Sequence, residues 1–318
     1  MNKIVECVPN YSISTDREGL KKITAPFKER DDVRLISVEP DENYNRTVVT
    51  VIGAPESVKE AMVASAKVAS EVIDMRKHSG EHKRMGAIDV VPFIPIKDMT
   101  IEETIALSEE CAEAIYTATN IPVFLYNLSA KRPQCEKLPD IRKGEFEGMA
   151  EKLKDPYWQP DFGKEVHPTA GVTAVGCRPL LVAFNIDLDT NDKKIASAIA
   201  KAIRFSSGGY RYVQAGPAYL EDKDIVQVTM NVTDYKKTSV YRVFETVKME
   251  ARRYDVDVIG SEFIGLVDLD CLKDIASYYL KKASMDDVDL SLEEVTEVVK
   301  DHLLLHGFDK KKVIEYYV

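Results

Sequence analysis

The feature that most constrains this chain is an order of periodicities that occurs twice. In the first half, residues 4–9 are a short apolar run ending at a proline, and residues 15–29 have helical spacing. Residues 34–38 and 45–53 are β-rich, the second reading NRTVVTVIG. Pro55 then suits the first turn of a helix, where its missing N–H is not needed. That helix reaches about residue 75 and places Val58, Met62, Ala69 and Val72 or Ile73 on one face. Residues 87–96 return as a strand. In the second half, residues 180–188 are a strand, and Thr190 is placed to cap a helix aligning Ile195, Ile199 and Ala202. Residues 211–220 and 224–232 are strands joined by a tight turn, the latter with Val226, Val228, Met230 and Val232 opposite Gln227, Thr229 and Asn231. Residues 238–254 are helical and 256–264 close the set. Each half therefore spells βαββαβ, the split-βαβ unit. The predicted fold is α+β: two tandem ferredoxin-like α/β sandwiches, residues 1–178 and 179–318, with mixed sheets facing a central cleft.

The first half has an extra unit. Thr100 and Glu103 form a capping box opening a helix with Ile101, Ile105, Ala112 and Ile115 inward, and residues 121–126 read as a further strand. Residues 127–178 carry five prolines, at 133, 139, 156, 160 and 168, and read as irregular apart from one short helix at about 144–153. Long irregular segments in compact proteins are usually functional or linkers. This one holds the only tryptophan, Trp158, beside Tyr157. Near the C-terminus Ser291 and Glu294 make another capping box, and Gly307 is expected to stop that helix.

Net charge is −10, so an acidic surface repels nucleic acid and anionic membrane, and any anionic substrate needs a local basic cluster. No apolar run approaches the roughly 20 residues of a membrane span. The early charges Lys3 and Glu6 do not suit a secretory leader, so a cytoplasmic protein beginning at Met1 is expected. Five cysteines, far apart and without a C-x-x-C pair, argue against a disulfide framework and against a Cys-rich zinc site.

The densest basic cluster is residues 76–84, RKHSGEHKR. It lies between a predicted helix end and a strand, hence in a loop. A basic turn near a helix C-terminus is favoured by the dipole alone, but two of the chain's five histidines lie here. His78-x-x-Glu81-His82 fits an H-x-x-E-H zinc pattern, which requires a regular helix. Gly80 in its middle disfavours helix by ~1 kcal/mol relative to Ala. The other reading is proton transfer by one imidazole, whose ordinary pKa of ~6.5 suits both giving and taking a proton. His167 lies in the irregular segment. His302 and His306 sit four apart on the C-terminal helix, where a surface role is commoner than a metal site. Gly171 to Gly176 (GVTAVG) lack the strand-then-helix context of a dinucleotide fingerprint.

Several stretches resemble one known family. Residues 5–12, VECVPNYS, are similar to its start VECVPNFS, and Asn45-Arg46-Thr47-Val48 to its NRTV strand. Most specific, residues 73–95 (IDMRKHSGEHKRMGAIDVVPFIP) resemble the IDM-x-x-H-x-GEH-x-RMGA-x-DV-x-PFIP stretch of glutamate formimidoyltransferases. Leu138-Pro139-x-Ile141-Arg142-x-Gly144-Glu145, Trp158-x-Pro160-Asp161-Phe162-Gly163, Val182 to Ile186 and Val313 to Tyr316 resemble further blocks.

The resemblance implies two α/β subdomains with a folate tunnel between them, a homodimer, and tetrahydrofolate as co-substrate. The implied reaction moves a formimidoyl group between N-formimidoyl-L-glutamate and tetrahydrofolate, without a metal. It places the catalytic histidine at His82. It places folate contacts on Gly163, Lys164, Glu165, Val166, His167, Pro168, Thr169, Ala170 and Gly171. Both substrates carry carboxylates, so Arg46, Lys83, Arg84 and Arg178 are candidate clamps, and Asp89 or Glu39 is a candidate to orient the imidazole. Trp158 or Tyr157 is a candidate to stack on the pterin. Animal members continue into a cyclodeaminase domain; this chain stops at Val318, so transferase activity alone is expected. A folate-binding relative without turnover, or a transferase using formimidoyl-glycine or a formyl donor, stays open.

Overall fold

The computed structural model describes residues 3–42, 44–80 and 83–318. Contacts divide the chain into two compact units, Met1–Arg178 and Pro179–Val318.

In the first unit the elements run β1 (Ile4–Cys7), β2 (Asn10–Tyr11), α1 (Arg17–Thr24), β3 (Val33–Asp41), β4 (Arg46–Gly53), α2 (Pro55–Val72), β5 (Ile88–Lys97), α3 (Ile101–Thr119), β6 (Val123–Leu125), α4 (Leu138–Arg142), α5 (Glu145–Lys152) and β7 (Thr173–Cys177). The first strand, predicted over 4–9, ends at Cys7, and β2 follows Pro9, which has no N–H for the ladder. Across the sheet β3 pairs β4, β4 pairs β1 and β2, these pair β5, and β7 and then β6 follow. Pairing is antiparallel as far as β5 and parallel at β5–β7 and β6–β7. The sheet is mixed.

One face is apolar. Val5, Cys7, Val49, Val51, Val91 and Phe93 pack with Leu20, Ile23, Met62, Ala66, Cys111 and Ile115 from the helices α1 to α3. Pro55 does begin α2, and the Thr100–Glu103 capping box does open α3. Ile101, expected inward, is exposed, and Leu107 is buried in the core instead.

The predicted irregular stretch 127–178 is largely structured and adds β7, a strand the pattern concealed. β7 lies between β5 and β6 and is buried on both faces, so it does not alternate. Val175 joins the helix-side core while Ala174 joins a second core on the far face. Gly176 is required there, because a Cβ would stand 2.2 Å from the Tyr126 carbonyl oxygen. The second core sets Ile141, Met149, Leu153 and Cys135 against Val90, Phe124 and Ala174, with Trp158 packed alongside. The segment thus covers the β5–β7–β6 part of the far face. By register, the β3–β4–β1 part carries Ser37, Glu39, Asp41, Arg46, Thr50 and Glu6.

In the second unit the elements are β8 (Val182–Leu188), α6 (Lys193–Ile203), β9 (Val213–Leu220), β10 (Ile225–Val232), α7 (Val240–Arg252), β11 (Val258–Ile264), α8 (Leu269–Tyr279) and α9 (Leu292–Leu303). The sheet is antiparallel in the order β11-β8-β10-β9. Val226, Val228, Met230 and Val232 all enter the core, as their alternation predicts. Three expectations are corrected. The cap of α6 is Asp192, which accepts the Lys194 N–H, while Thr190, two residues earlier, accepts from the Asp192 N–H. α8 is an additional helix. α9 ends at Leu303 with Leu304 left-handed (φ 56°), before Gly307 is reached. Among the described residues, no helix is long and apolar enough to cross a membrane.

Candidate active site

The basic loop leaves α2 at Ile73, whose extended backbone (φ −98°, ψ 120°) ends the helix. Asp74 then folds Arg76 back on itself, accepting from its backbone N–H at 3.1 Å and from its guanidinium at 2.8 Å. The Arg76 side chain holds the Asp74 carboxyl down at about 2. Both feet of the loop are buried methionines, Met75 and Met85. Both feet are stitched to one short segment. Met75 N–H donates to the Thr169 carbonyl (2.8 Å), Ala87 N–H to Ala170 (2.8 Å), and Val172 N–H to Met85 (3.1 Å). Gly86 faces Gly171 in an isolated bridge. A Cβ on Gly86 would lie 2.1 Å from the Val172 carbonyl oxygen, and Gly171 has φ 72°. The close approach explains why the sequence needs glycine at both positions.

The apex of the loop lies on the start of β4. A Cβ on Gly80 would stand 2.4 Å from the Tyr44 carbonyl oxygen. The Asn45 side chain donates to the Ser79 carbonyl at 2.8 Å. His78 joins Asn45 through Nε2 (2.8 Å), and its Nδ1 accepts from Arg84 Nε (3.2 Å). Both ring nitrogens of His78 are therefore engaged by the protein. The zinc pattern also invokes Glu81 and His82, and the catalytic assignment falls on His82; these two residues lie outside the described residues.

Thr169, Ala170 and Gly171 are thus part of the loop's frame. Gly163, Lys164, Glu165, Val166, His167 and Pro168 instead line an open cleft of about 900 Å³, with Tyr116 and Asn120 opposite. Gly163 (φ 81°) turns against the Tyr116 ring and Pro122. His167 Nδ1 accepts the N–H groups of Ala170 (3.0 Å) and Thr169 (3.3 Å), which leaves the ring proton on Nε2. Burial lowers its pKa. One segment thereby builds a cleft wall and clamps the base of the basic loop.

A second cluster occupies the far face of the first sheet. Asp89 is an extra residue in β5, where the register against β2 shifts, and it is fully buried. Its carboxylate accepts the Met85 N–H at 2.9 Å and a hydrogen bond from Arg142. Burial, then the neighbouring Arg142, lowers the Arg46 pKa. Glu6 is 2 % exposed, and burial raises its carboxyl to about 7 against the pull of Arg178. Burial also raises Tyr126 to about 12, opposed by Arg178 and Arg142. Arg46, Asp89, Arg142, Tyr126, Arg178 and Glu6 therefore share one electrostatic neighbourhood. Glu39 lies opposite Val48 on the same face. Neither Glu6 nor Arg142 is a site candidate from the sequence. The available signal was a charge between Val5 and Cys7 in a strand that is otherwise buried.

Arg84, a candidate clamp, is committed to the protein. Its Nε donates to His78 Nδ1, Nη1 to Glu145 (2.8 Å) and Glu147 (2.9 Å), and Nη2 to Glu147 (2.6 Å) and the His78 carbonyl (3.3 Å). That uses the five N–H groups of a guanidinium. Trp158 has the Lys152 ammonium 3.8 Å from its ring centre, while Tyr157 is exposed.

Comparison with known proteins identifies one family for both units. Residues 4–178 match the formiminotransferase domain, N-terminal subdomain, and residues 183–318 match the formiminotransferase domain. The chain is 49 % identical over 305 residues to a glutamate formimidoyltransferase of Streptococcus pyogenes serotype M1, covering 96 % of this chain and 100 % of that one. It is 40 % identical over 286 residues to a glutamate formimidoyltransferase of Thermoplasma acidophilum, covering 89 % and 94 %. It is 38 % identical over 329 residues to the formimidoyltransferase-cyclodeaminase of Rattus norvegicus, covering 100 % of this chain and 60 % of that protein.

Proposed function

This chain belongs to the formiminotransferase family, and from that premise we propose that it is a glutamate formimidoyltransferase, exchanging a formimidoyl group between N-formimidoyl-L-glutamate and tetrahydrofolate. The observation that carries the reading is the joint built by residues 163–172. The same segment lines the 900 Å³ cleft and anchors both ends of the loop that carries His82. That shared segment supports assigning co-substrate binding and proton transfer to one site.

In this reading N5 of tetrahydrofolate attacks the formimidoyl carbon. The tetrahedral intermediate then expels the amine of glutamate. The attacking nitrogen must lose a proton and the leaving nitrogen must gain one. His82 carries both transfers, a contribution of typically ~10²–10⁴-fold. Fixing two substrates side by side supplies the other main term. Gly163 to Pro168 contact the folate, with Tyr116 across the cleft. Arg46 and Arg178 hold substrate carboxylates, with Arg142 as an added candidate. Glu39 or Asp89 serves as the orienting carboxylate. Arg84, given its partners, shapes the loop. The strand orders support two ferredoxin-like sandwiches, and a homodimer belongs to the same reading; light scattering on the purified chain would test the latter.

The decisive experiment is a direct assay. Purified protein with tetrahydrofolate and N-formimidoyl-L-glutamate is expected to form 5-formimidoyltetrahydrofolate and glutamate. Formimidoyl-glycine and formyl-glutamate serve as competing donors. Binding of tetrahydrofolate without product from any donor would overturn the assignment.

A further inference from the structure

His78 sits where three parts of the first unit meet. Asn45, at the start of β4, has a left-handed backbone (φ 45°). Its side-chain oxygen accepts from Ser14 (3.0 Å), its amide donates to Ser79, and its own carbonyl meets His78 Nε2. Arg84, 8 % exposed, reaches α5 through Glu145 and Glu147 and reaches His78 through Nε. A guanidinium can only donate. His78 Nδ1 must therefore be a bare acceptor, and the ring proton must lie on Nε2, donated to Asn45. The imidazole is locked as one neutral tautomer by partners on both sides of the loop.

We propose that His78 is a positioning residue for the formimidoyl transfer, a neutral pin between Asn45 and Arg84 that holds the His82 loop in its working shape. This rests on the functional reading above. A proton taken up at Nδ1 would break the Arg84 bond, set two N–H donors face to face and release the pin. The surrounding charges oppose one another. Burial and the Arg84 cation disfavour that proton, while the Asn45 carbonyl and Glu147 favour it, and the outcome is a lowered pKa. Within the loop Asp74 is spent on Arg76, with Lys77 3.9 Å away. Loss of turnover toward acid pH then reports His78 as well as the transferring histidine.

The test compares wild type, His78→Ala, His78→Asn and His78→Gln in the full-length chain. Nitrogen-15 spectra of the ring should show Nε2–H with a bare Nδ1 at pH 7.5. His78→Ala should lower kcat by at least about tenfold with little change in KM. Asn, whose side-chain oxygen can stand in for Nδ1, should recover most of that loss. Gln, which keeps only the donor toward Asn45, should recover less. The acid limb of kcat should move to lower pH in His78→Asn. Hydrogen exchange at residues 76–80, corrected for intrinsic pH dependence, should rise in wild type as His78 titrates and be insensitive to that titration in His78→Asn. An Nδ1–H tautomer, or an exchange profile unchanged between the two proteins, would sink the pin. Absence of any formimidoyl transfer by wild type would sink the parent reading, while the spectral and exchange arms would still decide this one.

Discussion

The two units share a strand order and differ in what they place on the polar side of the sheet. In both, a first strand sits between the third and fourth of a βαββαβ set, and the apolar side packs on helices. The second unit answers its polar side with amides. Gln227 donates to Asp187 (2.6 Å) and Glu262 (3.1 Å), Asn185 donates to Glu262 (3.0 Å), and His306 approaches Asp187 at 3.4 Å. Strands β8 to β11 contain no lysine or arginine. The first unit instead gathers Arg46, Arg142 and Arg178 with Asp89 and a Glu6 whose carboxyl is raised to about 7. One topology thus supports a self-contained hydrogen-bond lattice in one place and concentrated buried charge in the other. Topology positions a face; the side chains decide whether it does chemistry.

The contrast can be broken most sharply at the histidines. His82→Ala should lower kcat by ~10²–10⁴-fold, whereas His302→Ala should leave kcat near wild type, since His302 stacks on Tyr279 (4.3 Å) in the second unit's helical layer. Steady-state kinetics on both variants, with circular dichroism as a folding control, decides this. Next, Arg142→Ala strips Asp89 of its charged partner in a fully buried position and should cost about 3–5 kcal/mol. Gln227→Ala removes a neutral donor from two carboxylates and should cost only about 1–2 kcal/mol. Urea titrations measure both, and equal costs would erase the distinction between the faces.

Glycines give a third comparison. Gly86→Ala drives a methyl into the Val172 backbone and should cost about 3 kcal/mol, whereas Gly216→Ala in β9 meets nothing within 4 Å and should change stability by about 0.5 kcal/mol or less. A fourth comparison reverses the sign. Glu6 keeps its proton in the folded state up to about pH 7 but releases it near 4.5 when unfolded, so its contribution to stability falls as pH rises through that window. Glu6→Gln should remove that slope and gain about 3 kcal/mol above pH 7. An unchanged pH–stability curve would show that the Glu6 carboxyl is not held neutral by burial.

Legibility followed periodicity. α2, with Pro55 at its first position, and β10, with its alternating valines, were readable because one face of each is buried and the other is not. β7 was not, because Thr173–Cys177 is covered on both sides and its glycine answers to the Tyr126 carbonyl rather than to any local rule. The Thr190 cap was displaced two residues to Asp192, a choice between two good caps that local chemistry leaves nearly even. At the site, the basic loop stood out by its charge and the 163–171 segment through the family resemblance. Their attachment to each other did not, since hydrogen bonds such as Met75 to Thr169 join backbone groups that carry no residue signature.

The sequence alone determined the α+β class, the family and the loop where the proton-transfer chemistry was expected, because hydrophobic spacing and a long specific motif are local properties of the chain. Only the tertiary structure decided that Arg84 is consumed by Glu145, Glu147 and His78, that Arg142 pairs with buried Asp89, and that Glu6 is held near neutrality. Those outcomes depend on which charges meet after folding and how much water they lose, and pairs such as Arg142 and Asp89, 53 positions apart, or Arg84 and Glu145, 61 apart, acquire that relation only in three dimensions.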